Sequence, residues 1–368
     1  MKEKITEENN LAPFVSQWMT IQPSLFDYLD DEIGELDDDQ KSFVRICSMV
    51  LKEGDFFKYG WCGNGRPPAS RLCIFKAFLL KALMNYPTTK ILVSTLRQSP
   101  ALRRLCGWES LSKLPDASTF SRAFADFAKD DLACKVNADF VKRALGRRGI
   151  FHVSHDSSAI EAREKGVRKP QSEKEKEVTQ LSAQRTRTAD ENFSNLPTHC
   201  DWGCKRDSKG KKKTWRGYKL HVACADGDIP VGVFLSSANL HDAKVMIPMM
   251  QKVSGDFEYF YDLADAGYDA QEIREASASL SHVPIIDRNP RRGEANVDDV
   301  GGRAVGIVEA TTRRYFARSG VERLFGHLHD SHGGKFVRVR GRAKVLLHLM
   351  FGLIVIASEQ IYSNGLLT

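Results

Sequence analysis

IFHVSHDSS (150–158) is where the reading of this chain turns. It has the alternation and β-branching of a strand, and it follows more than a hundred residues of helical pattern. Downstream, GYKLHVACAD (217–226) and IPVGVFLSSA (229–238) read as two strands joined by a turn at Gly227–Asp228, which is a hairpin signal. FEYFYDLAD (257–265) and HVPIID (282–287) are further strands. Helical patterns separate them, HDAKVMIPMMQKV (241–253) and DAQEIREASASL (269–280). YFARSGVERLFGHLHDSH (315–332) and the apolar 345–357 add two helices, with a Gly/Arg/Asp-rich loop over 288–313. Strands that open with a hairpin and continue through helical crossovers predict an α/β fold, a mixed sheet with flanking helices.

Working outward, residues 41–148 predict an all-α N-terminal domain. Apolar residues recur at helical spacing in FVRICSMVLKEG (43–54) and RLCIFKAFLLKALMNY (71–86), with Ser70 as an N-cap. The next starts are TTKILVSTLRQ before Pro100 and PDASTFSR (115–122), where Asp116 or Ser118 would cap. Exposed Arg97, Arg103, Arg104 and Arg122 would suit a helix-turn-helix DNA reader, and a bundle used for packing or dimerisation fits equally well. The domain plan is a leader at 1–40, a helical domain at 41–148 and an α/β domain at 149–360. The charged stretch 162–214 is a solvated, partly mobile insert in the last of these.

Charge is unevenly spread. The 368 residues carry a net +7, with 54 Lys+Arg against 47 Asp+Glu. Residues 1–40 hold 11 acidic and 2 basic side chains, so the remaining 328 carry +16. A basic body favours a polyanionic partner. Eight cysteines in reduced-core contexts exclude a disulfide scaffold, and Met1–Asn10 has no signal-peptide character. The apolar run Val345–Ala357 is 13 residues, short of a membrane span, so a soluble cytoplasmic protein with no membrane partner is expected. His199, Cys200 and Cys204 lack the second thiolate pair of a structural zinc site, and no phosphate-binding glycine loop is present.

Three acids sit at structural transitions: Asp156 at the end of the first strand, Asp265 at the end of 257–265, and Glu322 on the 315–330 helix. Neighbouring strands can bring Asp156 and Asp265 to one sheet edge, and a helix crossing that edge can supply Glu322. Converging carboxylates repel unless cations sit among them, and hard oxygen donors select Mg²⁺ or Mn²⁺. Two ions about 3.5–4 Å apart suit a phosphodiester reaction. Each acid taken alone reads first as a helix cap or an ion-pair partner. Of the neighbours, Asp262 lies at an odd strand offset and points to the opposite face, Asp269 reads as an N-cap, and Glu161 as solvent-facing. Lys205–Lys219 holds eight Lys/Arg against one Asp, with Trp215 and Tyr218 interleaved. Lys211, Lys212, Lys213, Arg216 and Lys219 suit DNA backbone contact and Trp215 base stacking; a solvated loop is the alternative. KFVRVRGRAK (335–344) is a second basic stripe.

The sequences around the acids resemble bacterial insertion-sequence transposases with a DDE catalytic domain. DSSAIEA (156–162) is similar to the first-aspartate box, and DLADAGYDAQEI (262–273) to the second, which maps onto Asp265. Tyr315, Arg318 and Glu322 match the third box, Y-x2-R-x3-E-x6-K, with His329 at its lysine position. WRGYKLH (215–221), Asn239–Asp242, GRPPAS (65–70) and PDASTFSR (115–122) extend the likeness to residues 45–358. The resemblance implies an RNase H-like catalytic domain that cleaves double-stranded element ends and transfers strands into target DNA. It implies Asp156, Asp265 and Glu322 as catalytic residues and metal ligands for two Mg²⁺ ions (or Mn²⁺). Arg318, Tyr315 and His329 would face the DNA. A homodimer or larger synaptic complex on nucleoid DNA would follow. A nuclease of the same fold that cuts without joining, or a regulator with structural carboxylates, are the alternatives left by the residues alone.

Overall fold

The computed structural model describes residues 35–60, 67–146, 148–167, 173–206, 211–288, 314–335 and 337–367. Most of the leader, most of the 288–313 loop and parts of the insert therefore lie outside the described residues. Among the described residues the first helix is α1 (Asp38–Val50), starting three residues before the expected boundary, because Asp37 and Gln40 form a reciprocal capping box. The helical half continues with α2 (Arg71–Leu83), capped by Ser70 as expected, then α3 (Thr89–Gln98), α4 (Pro100–Leu105), α5 (Ala117–Lys129) and α6 (Leu132–Leu145). Asp116 precedes α5 at its N-cap position without a side-chain capping bond; its Oδ1 accepts from Arg97 Nη2 at 3.1 Å instead. Arg103 departs from the exposed set: it is buried, donating to the carbonyls of Leu96 and Arg97.

The sheet comprises β1 (Ile150–Glu161), β2 (Asp201–Arg206), β3 (Lys212–Ala225), β4 (Ile229–Ser237), β5 (Tyr259–Ala264) and β6 (Val283–Ile286). Its order is β2-β3-β1-β5-β6, with β4 also paired to β3. The β3–β4 hairpin is antiparallel, as is β3 on β1, whereas β1, β5 and β6 run parallel. This is the RNase H-like arrangement, with α10 (Ala243–Asp256), α11 (Gln271–Ser279), α12 (Ser319–Ser331) and α13 (Arg342–Ser363) about the sheet. The described part of the insert is more ordered than its composition suggests. It contains α7 (Glu173–Val178), α8 (Leu181–Gln184), α9 (Ala189–Asn195) and strand β2. Buried Gln184 and Asn192 tie it to α10 through the Lys244 carbonyl and Gln251.

α13 runs 22 residues, longer than its 13-residue apolar core. By length and composition it could cross a membrane, but most of it is buried within the protein. It packs on α1, α2, α5 and α6 as well as on β4. Phe351 stacks at 4.8 Å from Phe75 and 5.5 Å from Phe78. One continuous apolar cluster thus includes the N-terminal helices, the sheet and the last helix, so a boundary at 148 divides the chain without dividing its core.

Between the central parallel strands lies a buried carboxylate. Asp262 of β5 is fully buried, on the opposite face to the candidate acids as expected. Its Oδ1 accepts from Tyr259 Oη at 2.8 Å and His155 Nε2 at 3.1 Å; its Oδ2 accepts from Ser277 Oγ at 2.7 Å and His282 Nδ1 at 3.1 Å. Burial alone would raise its pKa, yet the bonds from His155 and His282 bring it well below the ordinary value. A depressed pKa means the group stabilises the fold above its unfolded value near 3.8 and loses that contribution as pH falls below it. Asp262→Ala is expected to lower unfolding stability at pH 7 by about 3–5 kcal/mol, because the imidazoles lose their shared acceptor. Denaturant titration at pH 7 checks this, and an unchanged midpoint contradicts it.

Candidate active site

Asp156 and Asp265 are brought together by strand register. The β1–β5 ladder pairs Val153 with Asp262 and Ser154 with Leu263. Two residues beyond that last pair stand Asp156 and Asp265, on neighbouring strands about 4.8 Å apart. Asp156 does not end its strand, however; β1 runs on to Glu161 because β3 continues to pair with it. Asp265 follows β5 and caps a single 3₁₀ turn, Ala266–Tyr268, its Oδ1 accepting from Gly267 N at 2.8 Å. A Cβ at Gly267 would stand 2.9 Å from that oxygen, which accounts for glycine there. Tyr268 ends the turn and is buried beside Asp156, Asp265 and Asp242.

Glu322 comes from the first turn of α12. That helix begins at Ser319, so Tyr315 and Arg318 precede it rather than lying along it. Arg318 reaches forward to Glu322, Nη2 to Oε1 at 2.7 Å, and its Nη1 lies 3.9 Å from Asp156 Oδ2. Burial opposes its charge, but Glu322, Tyr315, Asp156 and Asp265 together raise its pKa. Arg318 is therefore the cation among the three acids. Among the described residues, no three His, Cys, Asp or Glu side chains stand close enough to share one ion. The expected three-carboxylate convergence is thus replaced by two adjacent aspartates and a glutamate drawn onto an arginine. The donor set still fits a hard divalent cation. Among the described residues Asp156 accepts from its neighbour Ser157 N at 2.7 Å and faces Arg318, which leaves lone pairs for a cation.

Burial pushes the Asp156 carboxyl up to about 6, helped by Asp265 and opposed by Ser157 N–H, Lys205 and Arg318. A raised carboxyl pKa costs stability as pH rises from 3.8 through about 6.

Other expected residues fall into two groups. Lys211, Lys212, Lys213 and Arg216 are exposed on the β2–β3 ribbon. Lys205 and Lys213, paired across it, act electrostatically on Asp156 and His329 respectively. Lys219 is turned inward: it is half-buried, donating to the Leu240 carbonyl at 2.7 Å and to Asp242 at 2.9 Å. Trp215 is no stacking platform either. It is buried over Gly203, its Nε1 donating to the Tyr218 carbonyl at 3.1 Å. Tyr218 is buried too, its hydroxyl donating to Glu164 at 2.6 Å. Tyr315 donates to Asp287 instead of facing the acids. His329 meets Ser158 Oγ at 2.8 Å, and burial lowers its pKa, favouring the neutral imidazole. Asp269 pairs with Arg274 at 2.8 Å and does not cap α11, whose N-cap is Ala270. Glu161 is exposed as expected. Of the second stripe, Lys335, Arg338, Arg340 and Lys344 are exposed, whereas Arg342 is drawn inward to the Leu235 carbonyl.

Asp242 was missed as a site residue. It sits in the Asn239–Asp242 motif and is held by Lys219. Burial would raise its pKa, but His221 and Lys219 lower it, so it adds a fourth carboxylate near the pair.

Adjacent aspartates on the central parallel strands of an RNase H-like sheet define the class of enzymes that act on phosphodiesters. Residues 152–357 match the family model "Transposase DDE domain", and residues 32–126 match "Transposase domain (DUF772)". The first match covers more than half of the chain, which belongs to the DDE-domain transposases. No curated protein and no solved structure matches it. The protein is a DNA transposase, and metal-dependent DNA cleavage with strand transfer is the general activity of its family.

Asp156→Asn is expected to stabilise the chelator-treated protein at pH 8 by on the order of 3 kcal/mol, a gain that vanishes below pH 4. Thermal melts across pH measure this; a variant less stable than wild type at pH 8 contradicts it.

Proposed function

We propose that Asp156, Asp265 and Glu322 carry the chemistry, cutting transposable-element ends and joining them to target DNA. The observation supporting this is the β1–β5 register, which sets Asp156 beside Asp265 with Arg318 and Glu322 across the same edge. Bound there, Mg²⁺ (or Mn²⁺), two ions per site, would activate a water or 3′-hydroxyl and neutralise charge at the phosphodiester. Glu322, with Asp156 and Asp265, would supply the oxygen donors for such ions, and Arg318, which bonds Glu322 in their absence, has the fork geometry to bind a phosphate. Tyr315, fixed on Asp287 and 5.7 Å from the Arg318 guanidinium, limits where that fork can swing.

Lys211, Lys212, Lys213 and Arg216, with Lys205, hold the backbone of double-stranded DNA beside acids that would otherwise repel it. The helical segment 38–145 grips element ends or joins subunits, and two ends require a homodimer or larger assembly. Such a protein would work in the cytoplasm on nucleoid DNA. Asp156→Asn, Asp265→Asn and Glu322→Gln should each abolish cleavage of labelled ends and strand transfer of pre-cut ends, leaving DNA affinity within about threefold. Normal cleavage by any variant removes that residue from the assignment. Cleavage without joined product by wild type would favour the nuclease reading.

A further inference from the structure

The β2–β3 ribbon holds two tryptophans with opposite fates. Trp215 lies inward over Gly203. Trp202, opposite Arg216 in the ladder, faces out with 47% of its surface exposed. The Arg216 guanidinium lies 5.9 Å from its ring centroid. Gly166 braces the ring: a Cβ there would stand 3.4 Å from both Cδ1 and Nε1. β2 is the edge strand of the sheet, so nothing in the sheet lies beyond it.

The surroundings are cationic on their outer side. Arg163, Lys165, Lys205, Lys211, Lys212, Lys213 and Arg216 are all exposed. The nearby acids mostly turn inward. Glu164 accepts from Tyr218 Oη and from Gly341 N, and Asp201 accepts from Trp202 N and Asn239 Nδ2. Glu161 remains outside. A large aromatic face set in positive charge repels a second copy of itself and suits a polyanion with flat rings. Arg216 is six residues from Val222, the partner of Asp156, and shares its ribbon with Lys205, whose charge reaches Asp156.

We propose that Trp202 and Arg216 form a base-stacking platform for an unpaired DNA base, on the ribbon that flanks the acids. This rests on the DNA-cleaving reading above and adds a contact that binds without taking part in the chemistry. Arg216 fixes the adjoining phosphate, and Trp202 covers the base.

The probe is a fluorescein-labelled duplex of arbitrary sequence, used blunt and with a six-nucleotide single-stranded tail, followed by anisotropy across salt. Wild type should bind the tailed duplex more tightly. Trp202→Ala should weaken tailed binding by about 5- to 150-fold with an unchanged salt slope, and leave blunt binding nearly unaltered. Trp202→Phe should retain most of the tailed affinity, while Arg216→Ala should lower the salt slope by about one. Tailed binding by Trp202→Ala within twofold of wild type overturns the proposal. So does equal weakening by the Phe and Ala variants accompanied by a lowered melting temperature, or a change of oligomeric state in place of affinity. Wild type binding neither duplex would sink the DNA reading and this proposal with it; tight blunt binding with no effect at Trp202 would sink this proposal alone.

Discussion

The parallel pairing of β1 with β5 is the constraint on which the rest of the site depends. Parallel strands cannot be joined by a tight turn, so their register has to be set by side chains and packing. Here the setting group is Asp262, a buried carboxylate that accepts from β1, from its own strand, from α11 and from the loop before β6. A buried charge is tolerated only when its lone pairs are filled. A slip of β5 past β1 would break the His155 bond, and the same slip would part Asp156 from Asp265. The core bond and the site geometry are therefore one arrangement seen from two faces of the sheet.

On the site face the electrostatic problem is reversed. Asp156 is buried with few donors and has a neighbour of like charge, so its carboxyl is pushed up to about 6. Arg318 relieves part of this from the start of α12, at the cost of drawing Glu322 to itself. Lys205 adds field from the ribbon. A site that is electrostatically strained in isolation and relieved by added positive charge trades stability for function.

Much of this was legible in the chain. IFHVSHDSS, the Gly227–Asp228 hairpin and FEYFYDLAD mark strands along the chain, because period-two alternation is a local property, whereas their order in the sheet is set by tertiary pairing. Asp156 and Asp265 could be picked out from their boxes, and Asp262 was rightly set on the other face by its odd offset. What escaped was decided by tertiary contact. Trp215 and Lys219 lie in a basic run, and nothing in the run says that one ring is covered by the fold and one ammonium held by Asp242. Strand β2 hid in a charged insert because its residues alternate tryptophan with glycine and cysteine with lysine, not apolar with polar. His329 stands at a lysine position, but its partner Ser158 comes from a strand 171 residues earlier.

The account holds that Asp156 and Asp265 form one cation site by virtue of strand register. Mn²⁺ titration followed by electron paramagnetic resonance, on DNA-free protein, tests this most directly. It predicts that wild type binds Mn²⁺ and that Asp156→Asn and Asp265→Asn each weaken binding by at least about tenfold. Either variant titrating like wild type would contradict it.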